Sequence, residues 1–245
     1  MDFSTFSELF CKIFKQNHLE SFCKAEIIQK FYDFTLLLVE ENSHTNLTAI
    51  RDIPNIISKH YADCLLAEPH FPKNAIVMDI GCGGGFPTIP LAITRPDLRI
   101  TAVDSTAKKI AFVQKAIQHL HLTNVTPICD RAESDSMRKY RESYDIVTSR
   151  AMARMCVLTE LALPFAKKSG KLIALKGAQG TIELKEAEKA ITTLGGSSTI
   201  EDVFFELAVD REVTEARHIL IVSKISQTPK QYPRNYATIT KKPII

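Results

Sequence analysis

Apolar residues recur at helical spacing through the first part of the chain. Phe6, Leu9, Phe10, Ile13 and Phe14 fall on one stripe, and Ile27, Ile28, Phe31, Phe34, Leu37 and Leu38 on a second. Pro54 suits the first turn of a third helix carrying Ile56, Ile57, Tyr61 and Leu65. No glycine interrupts this stretch before Gly81, and the proline-punctuated run from Glu68 to Asn74 closes it. The texture then changes. Apolar runs of strand length fall at 75–80, 99–104, 125–129, 144–149, 171–176, 200–209 and 216–224. Helical patterns follow most of them, from 86 onward, over 106–120, near 155–166 and over 180–193. Strands alternating with helices require right-handed crossovers and a mainly parallel sheet. The last two strands have little between them, which predicts an antiparallel hairpin at the sheet edge. The expected fold is α/β, with a seven-stranded, mostly parallel sheet, a C-terminal antiparallel hairpin and a small N-terminal helical region before it. The expected organisation is a helical region over 1–73, a ligand-binding domain over 74–225 and a basic tail over 226–245.

At 245 residues and 45% hydrophobic, the chain is long enough to bury one such core. The net charge of +3 is mild, but it is unevenly placed: no acidic residue follows Glu215, whereas Lys224, Lys230, Arg234, Lys241 and Lys242 do. The six cysteines, at 11, 23, 64, 82, 129 and 156, form no CxxC pair and no cluster with histidine at zinc-ligand spacing, so no metal is expected. Free thiols and an N-terminus without a basic region leading into an apolar stretch point to the cytoplasm. No apolar run approaches the ~18 residues that cross a bilayer, so no membrane partner is expected.

Candidate chemistry concentrates where the expected strands end. Gly81, Gly83, Gly84 and Gly85 directly follow the run 75–80 and precede a helical pattern, the setting in which backbone must approach a ligand closely. Asp104 ends the next strand, 19 residues after Gly85. There a carboxylate either accepts both hydroxyls of a ribose or caps the helix that begins near Thr106. Two nucleoside cofactors compete. A dinucleotide fingerprint wants glycine at the sixth position counted from Gly81, where a helix N-terminus meets pyrophosphate, and that position is Phe86. The chain instead has Asp79-x-Gly81-x-Gly83-x-Gly85, which looks like motif I of Rossmann-like class I methyltransferases and favours S-adenosylmethionine. Asp79 then suits an electrostatic role toward a methionine ammonium group. At the third strand's exit, Ala132 and Glu133 either recognise an adenine edge or sit in a solvated turn. Arg150, at the end of the fourth strand, either orients the cofactor carboxylate, donates through its planar fork to a substrate and a neighbouring phosphate, or forms a surface ion pair. Lys176, before Gly177, either faces RNA or the base, or is a snorkelling strand-end lysine. His60 and Asp63 share a helix face and are expected to join the helical region to the sheet domain. In the tail, Lys230, Tyr232, Arg234, Tyr236, Lys241 and Lys242 interleave cations with aromatics, the pattern of an RNA-tracking arm or of a solvated tail.

The ordered runs Asn46–Asp52, Lys59–Asp63, Asp79–Pro87 with Ile89–Ile93, Val103–Ser105, Ser149–Ala151, Leu175–Gly177 and Arg217–His218 together resemble the RsmG (GidB) family of bacterial small-subunit rRNA guanine-N7 methyltransferases. The resemblance implies methyl transfer from S-adenosylmethionine to N7 of a guanine in the 530 loop of 16S rRNA, conventionally position 527. It implies cofactor contacts at Gly81, Phe86, Ala132, Glu133 and Arg150; Asp104 is added by the ribose argument. The implied partner is 16S rRNA or a small-subunit particle, with the protein acting as a monomer. The chain departs from the family's usual pattern at Thr88, Cys64 and Arg154. Guanine N7 carries an in-plane lone pair free of a proton at neutral pH, so no catalytic base is expected. Three alternatives share the fold: another Rossmann-like RNA methyltransferase, a nicotinamide-dependent oxidoreductase, which Phe86 opposes, and a non-catalytic RNA-binding module.

Overall fold

The computed structural model describes residues 1–208 and 214–245. The chain forms one seven-stranded sheet from β1 (Ile76–Ile80), β2 (Arg99–Asp104), β3 (Val125–Cys129), β4 (Tyr144–Arg150), β5 (Ala166–Lys176), β6 (Gly196–Ala208) and β7 (Thr214–Lys224). Their spatial order is β3-β2-β1-β4-β5-β7-β6. The first five run parallel, and β7 enters antiparallel between β5 and β6. The predicted seven-stranded sheet with its antiparallel hairpin is therefore what forms. The hairpin strands start earlier than the apolar pattern indicates, and residue 209, their expected first end, lies outside the described residues. The order reverses at β1, whose neighbours are β2 and β4, which opens a crevice at the carboxyl ends of the strands there.

Alternation along the strands sorts two cores, because successive side chains point to opposite faces. Val77, Ile100, Ala102, Ile146, Ile173, Ile219 and Ile221 face the N-terminal helices. Met78, Ile80, Val103, Val147, Leu172, Leu220 and Val222 face the helices Met155–Ala162 and Glu188–Thr193. The helices Phe3–Gln16 and Ala25–Thr45 are thus a layer on one face of the sheet, sharing its core. A line of rings carries that core: Phe10 to Phe31 at 5.2 Å, Phe31 to Tyr61 at 4.7 Å and Phe34 to Phe86 at 5.7 Å. Asp2 caps the first helix by accepting from Thr5 N at 2.9 Å.

Helix boundaries differ locally from the pattern. The helix after the glycine loop begins at Thr88, two residues later than expected, because the backbone through Phe86 still belongs to the loop. The expected helix over 180–193 is two, Gly180–Glu186 and Glu188–Thr193, joined at Ala187. The third N-terminal helix, residues 53–65, widens to π geometry over Ile57–Ala62, a local distortion often found beside functional sites.

Candidate functional site

Two cavities open side by side along the carboxyl edge of the sheet. The first, of about 250 Å³, lies between the ends of β1, β2 and β3 and is lined by Gly81, Asp104, Lys109, Ala132, Glu133 and Tyr236 among others. β1 leads into it through a tight turn in which Gly81 N and Cys82 N both donate to Val103 O, at 2.8 and 3.0 Å. Gly81 holds φ +74°, and a Cβ there would sit 2.8 Å from Met152 Cγ, so only glycine keeps this wall low. Asp104 ties the turn to the next helix. Its Oδ2 accepts from Gly83 N at 3.0 Å and its Oδ1 from Thr106 N at 2.8 Å. Each carboxylate oxygen keeps lone-pair capacity for a further donor.

Asp104 thus organises two loops while facing the cavity, and the helix Ala107–His119 takes no side-chain cap from it, its N-cap being Thr106. Asp130 plays a similar organising part at the end of β3. Its carboxylate accepts from the Ser136 and Ser134 hydroxyls and Arg131 N, which hold it below the usual aspartate range. That fixes the turn presenting Ala132 and Glu133, with Glu133 Oε1 accepting from Arg131 Nε at 2.5 Å.

Asp79 stands behind the glycine turn and is fully buried. Its Oδ2 accepts from Thr88 Oγ1 at 2.6 Å and Thr88 N at 3.2 Å, so the departure at Thr88 supplies the hydroxyl that anchors the helix entry. Its Oδ1 is buried with no hydrogen-bond partner among the described residues. Burial pushes this carboxyl up to about 7 despite the Thr88 bonds.

The second cavity, of about 470 Å³, is lined by Asp63, Arg150, Met152, Lys176, Glu183 and Arg217 with four neighbours. Met152 borders both cavities. The π turn brings His60 and Asp63 to Arg150: Arg150 NH1 donates to Asp63 Oδ2 at 2.8 Å and to Lys59 O at 3.0 Å, and NH2 meets His60 Nδ1 at 2.8 Å. Asp63 Oδ1 accepts from Arg217 Nε at 2.7 Å, and Glu215 joins Arg217 to Lys59. Burial and the Arg150 charge lower His60 to about 3, so its ring is neutral and its Nδ1 is the acceptor. Its Nε2 lies 2.7 Å from the Thr48 hydroxyl.

The structure brings Gly81, Asp104, Ala132 and Glu133 into the first cavity, and Arg150 and Lys176 into the second. Phe86 joins neither. Its ring is buried, stacked on His60 at 4.3 Å and packed against Phe34, because the apolar N-terminal layer covers that side of the loop. Lys176 is nearly buried, and its amine donates to Glu183 Oε2 at 2.8 Å and to Ala153 O, while Glu183 Oε2 also accepts from Met155 N at 2.9 Å. It therefore fastens the loop after β4. Ala151 in that loop adopts φ +52°, a left-handed conformation uncommon for alanine, as the chain turns to place Met152 between the cavities. Cys64 is fully buried, and Arg154 is exposed and paired with Glu186.

Pattern reasoning missed Met152, because a lone methionine after a strand carries no signal. It missed Lys109 as well, one of several lysines on a helix. Tyr236 was visible only as part of an aromatic-cation alternation. Among the described residues no three His, Cys, Asp or Glu side chains gather as metal ligands, and no helix is long and apolar enough to cross a membrane.

A family model described as GidB, rRNA small subunit methyltransferase G, matches residues 27–213. The chain is 44% identical over 219 residues to ribosomal RNA small subunit methyltransferase G of Staphylococcus aureus strain Newman, covering 89% of this chain and 90% of that one. It is 43% identical over 220 residues to the protein of the same name from Brevibacillus brevis, covering 89% and 91%. A solved precorrin-6y C5,15-methyltransferase from Geobacter metallireducens shares the fold, with TM-score 0.51 at 15% identity over 74% of this chain and 92% of that one.

Proposed function

The chain belongs to the rRNA small subunit methyltransferase G family, and from that premise we propose that it methylates N7 of a guanine in 16S rRNA, position 527 of the 530 loop, using S-adenosylmethionine. The observation that carries this reading is the pair of cavities meeting at Met152: one framed by the glycine turn and the Asp104 carboxylate, the other by Arg150 and Arg217. The first suits a nucleoside. Gly81 leaves room against Met152, Asp104 offers free lone pairs for ribose hydroxyls, and Ala132 with Glu133 lies where a base edge needs polar partners. Phe86 serves from behind, holding the turn through His60 and Phe34.

When bound, S-adenosylmethionine would supply an electrophilic sulfonium methyl for the in-plane lone pair of guanine N7. No proton has to move in that step. The chain's task is orientation, an effect worth up to ~7–11 kcal/mol when reacting groups are held in line. The second cavity is built for this. Arg150 commits three N–H donors to Lys59 O, Asp63 and His60, which lock its plane. The remaining two of a guanidinium's five donors can serve the cofactor carboxylate or the base. Arg217, locked by Asp63 and Glu215, adds a second fixed cation for RNA. Lys176 acts through the loop, holding Ala153 O and Glu183 so that Met152 keeps its place on the border of the two cavities.

In this reading the partner is 16S rRNA or a small-subunit particle, met by a monomer in the cytoplasm. The test is to map 7-methylguanosine in 16S rRNA from cells with and without this gene. The expected result is a modification at position 527 that disappears with the gene and returns with it. An unchanged 527, or loss of a different mark, overturns the reading.

A further inference from the structure

The segment after β7, expected to track RNA or to stay solvated, is fastened to the body of the protein at several points. Thr228 is buried; its N donates to Glu142 Oε1 at 2.9 Å and its hydroxyl to Leu194 O at 2.7 Å. The Arg141 guanidinium donates to Thr228 O at 3.0 Å and also to Tyr232 O. Arg234 is clamped on Glu160, a fully buried carboxylate, through N at 2.9 Å, Nε at 2.8 Å and NH2 at 2.6 Å. Among the described residues the charge of Glu160, in the helix Met155–Ala162, is answered by this one cation, so burial of the carboxylate depends on the segment folding back. Beyond it, the short helix Tyr236–Lys241 is capped by Asn235, whose Oδ1 accepts from Thr238 N at 2.9 Å, and is pinned by fully buried Ile239.

Tyr236 lies between the Arg234 clamp and the Ile239 pin, so its backbone is fixed on both sides. Its ring is not used for the core. It is 38% exposed and lines the first cavity, the one that also holds Gly81, Asp104, Ala132 and Glu133. The Arg131 guanidinium carbon sits 4.9 Å from the ring centroid, in cation–π range, and that arginine is itself paired with Glu133. No other ring stacks on Tyr236 among the described residues. A rigid, half-exposed aromatic at the mouth of a nucleoside cavity is a stacking platform whose ordering cost has been met before the ligand arrives.

We infer that Tyr236 is the surface on which the adenine of the cofactor stacks, so that the segment after β7 is part of the cofactor site and not an RNA arm. The inference rests on assigning the first cavity to S-adenosylmethionine. Base–aromatic stacking of this kind is worth about 1–3 kcal/mol by alanine substitution, or roughly 5- to 150-fold in affinity. It also separates the two halves of the ligand, because a contact to adenine is shared by adenosine, which has no methionine portion.

The experiment is calorimetric titration of the full chain, as wild type, Tyr236→Phe and Tyr236→Ala, with S-adenosylmethionine and with adenosine, each protein checked by urea unfolding. The expected result is that Tyr236→Ala weakens both ligands by a similar factor, roughly 5-fold or more. Tyr236→Phe keeps wild-type affinity, and neither variant loses stability beyond the ordinary scatter of surface changes, about 0.5 kcal/mol. Wild-type affinity in Tyr236→Ala, or a loss for S-adenosylmethionine without one for adenosine, overturns the inference while leaving the cavity assignment standing. A wild-type chain that binds neither ligand overturns the cavity assignment itself. A Tyr236→Phe variant as weak as Tyr236→Ala shows that the hydroxyl, not the ring face, is the contact, and likewise overturns stacking.

Discussion

Replacing Asp104 tests the proposed assignment of the first cavity to the cofactor. In the free protein its carboxylate holds Gly83 N at 3.0 Å and Thr106 N at 2.8 Å. Asp104→Ala leaves both N–H groups without that partner, at about 1–3 kcal/mol for each one that stays dry. The site borders a cavity, so water can reach both groups. The expected loss of stability is therefore near the bottom of that range, about 2 kcal/mol in all. The effect on binding is larger. Hydrogen bonds to a charged acceptor contribute about 1.5–3 kcal/mol each, and a ribose offers two hydroxyls. Allowing for water in the emptied place, about 2–3 kcal/mol should be lost, a weakening of S-adenosylmethionine binding by roughly 30- to 150-fold. Asp104→Asn keeps one acceptor oxygen and turns an amide donor toward the other partner, so it should bind about tenfold more weakly than wild type, between the other two. Calorimetric titration well below the unfolding midpoint separates affinity from stability, which urea denaturation reads independently. An Asp104→Ala protein that is folded and binds within about threefold of wild type would remove Asp104 from the cofactor site.

Two further perturbations probe the supporting groups. Arg150→Met takes one of two guanidinium partners from Asp63 and the donors from Lys59 O and His60 Nδ1; with both ion-pair partners largely buried, the expected cost is about 3–5 kcal/mol in urea unfolding, and a change under about 1 kcal/mol would show the network to be dispensable. Asp79→Asn tests the buried carboxyl through pH. Folding raises its pKa from 3.8 to about 7, so between those values the folded state keeps a proton that the unfolded state has released, and stability falls as pH rises through that window. The full effect is about 4 kcal/mol at most. The stability of Asp79→Asn relative to wild type should therefore improve from pH 4 to pH 8, read as the difference between their urea curves; a difference that stays flat would mean that Asp79 is ionised in the folded protein across the range.

Much of this site was legible in the sequence because strand ends are marked. A parallel sheet places the last residue of each strand on one edge, so Gly81, Asp104, Glu133, Arg150 and Lys176 could be grouped before any coordinate was known. What the pattern does not carry is the direction in which each side chain leaves that edge. Phe86 stands at the loop but turns into the aromatic layer of the N-terminal helices, since burying its ring on His60 and Phe34 is the stronger demand. Lys176 stands at the edge but meets Glu183, seven residues on, in a pairing that depends on how the following helix packs. Even the polar pair Thr148 and Ser149 is settled inward, donating to Ile173 O and Ile80 O on neighbouring strands.

The tail shows what composition leaves open, because its residues fitted either an RNA arm or a solvated tail, and the packing ties Arg234 into the fold. Interleaved cations and aromatics describe an RNA arm only if the side chains are free. Arg234 is not free: a buried carboxylate on a helix 74 residues away claims it, and nothing in the local pattern of residues 226–245 announces Glu160. Once that pair forms, the chain has to cross the edge of the first cavity, and Tyr236 arrives there as a consequence. Charge in a segment therefore counts toward a partner only after the buried groups of the fold have taken their share. In this chain Lys224 makes the same point from β7, donating inside the protein to Leu163 O and Thr228 Oγ1, with burial lowering its amine to about 8. The cations left for RNA are accordingly fewer than the sequence displays, and those fixed at the cavity by paired carboxylates, Arg150 and Arg217, are the ones whose geometry can orient a base.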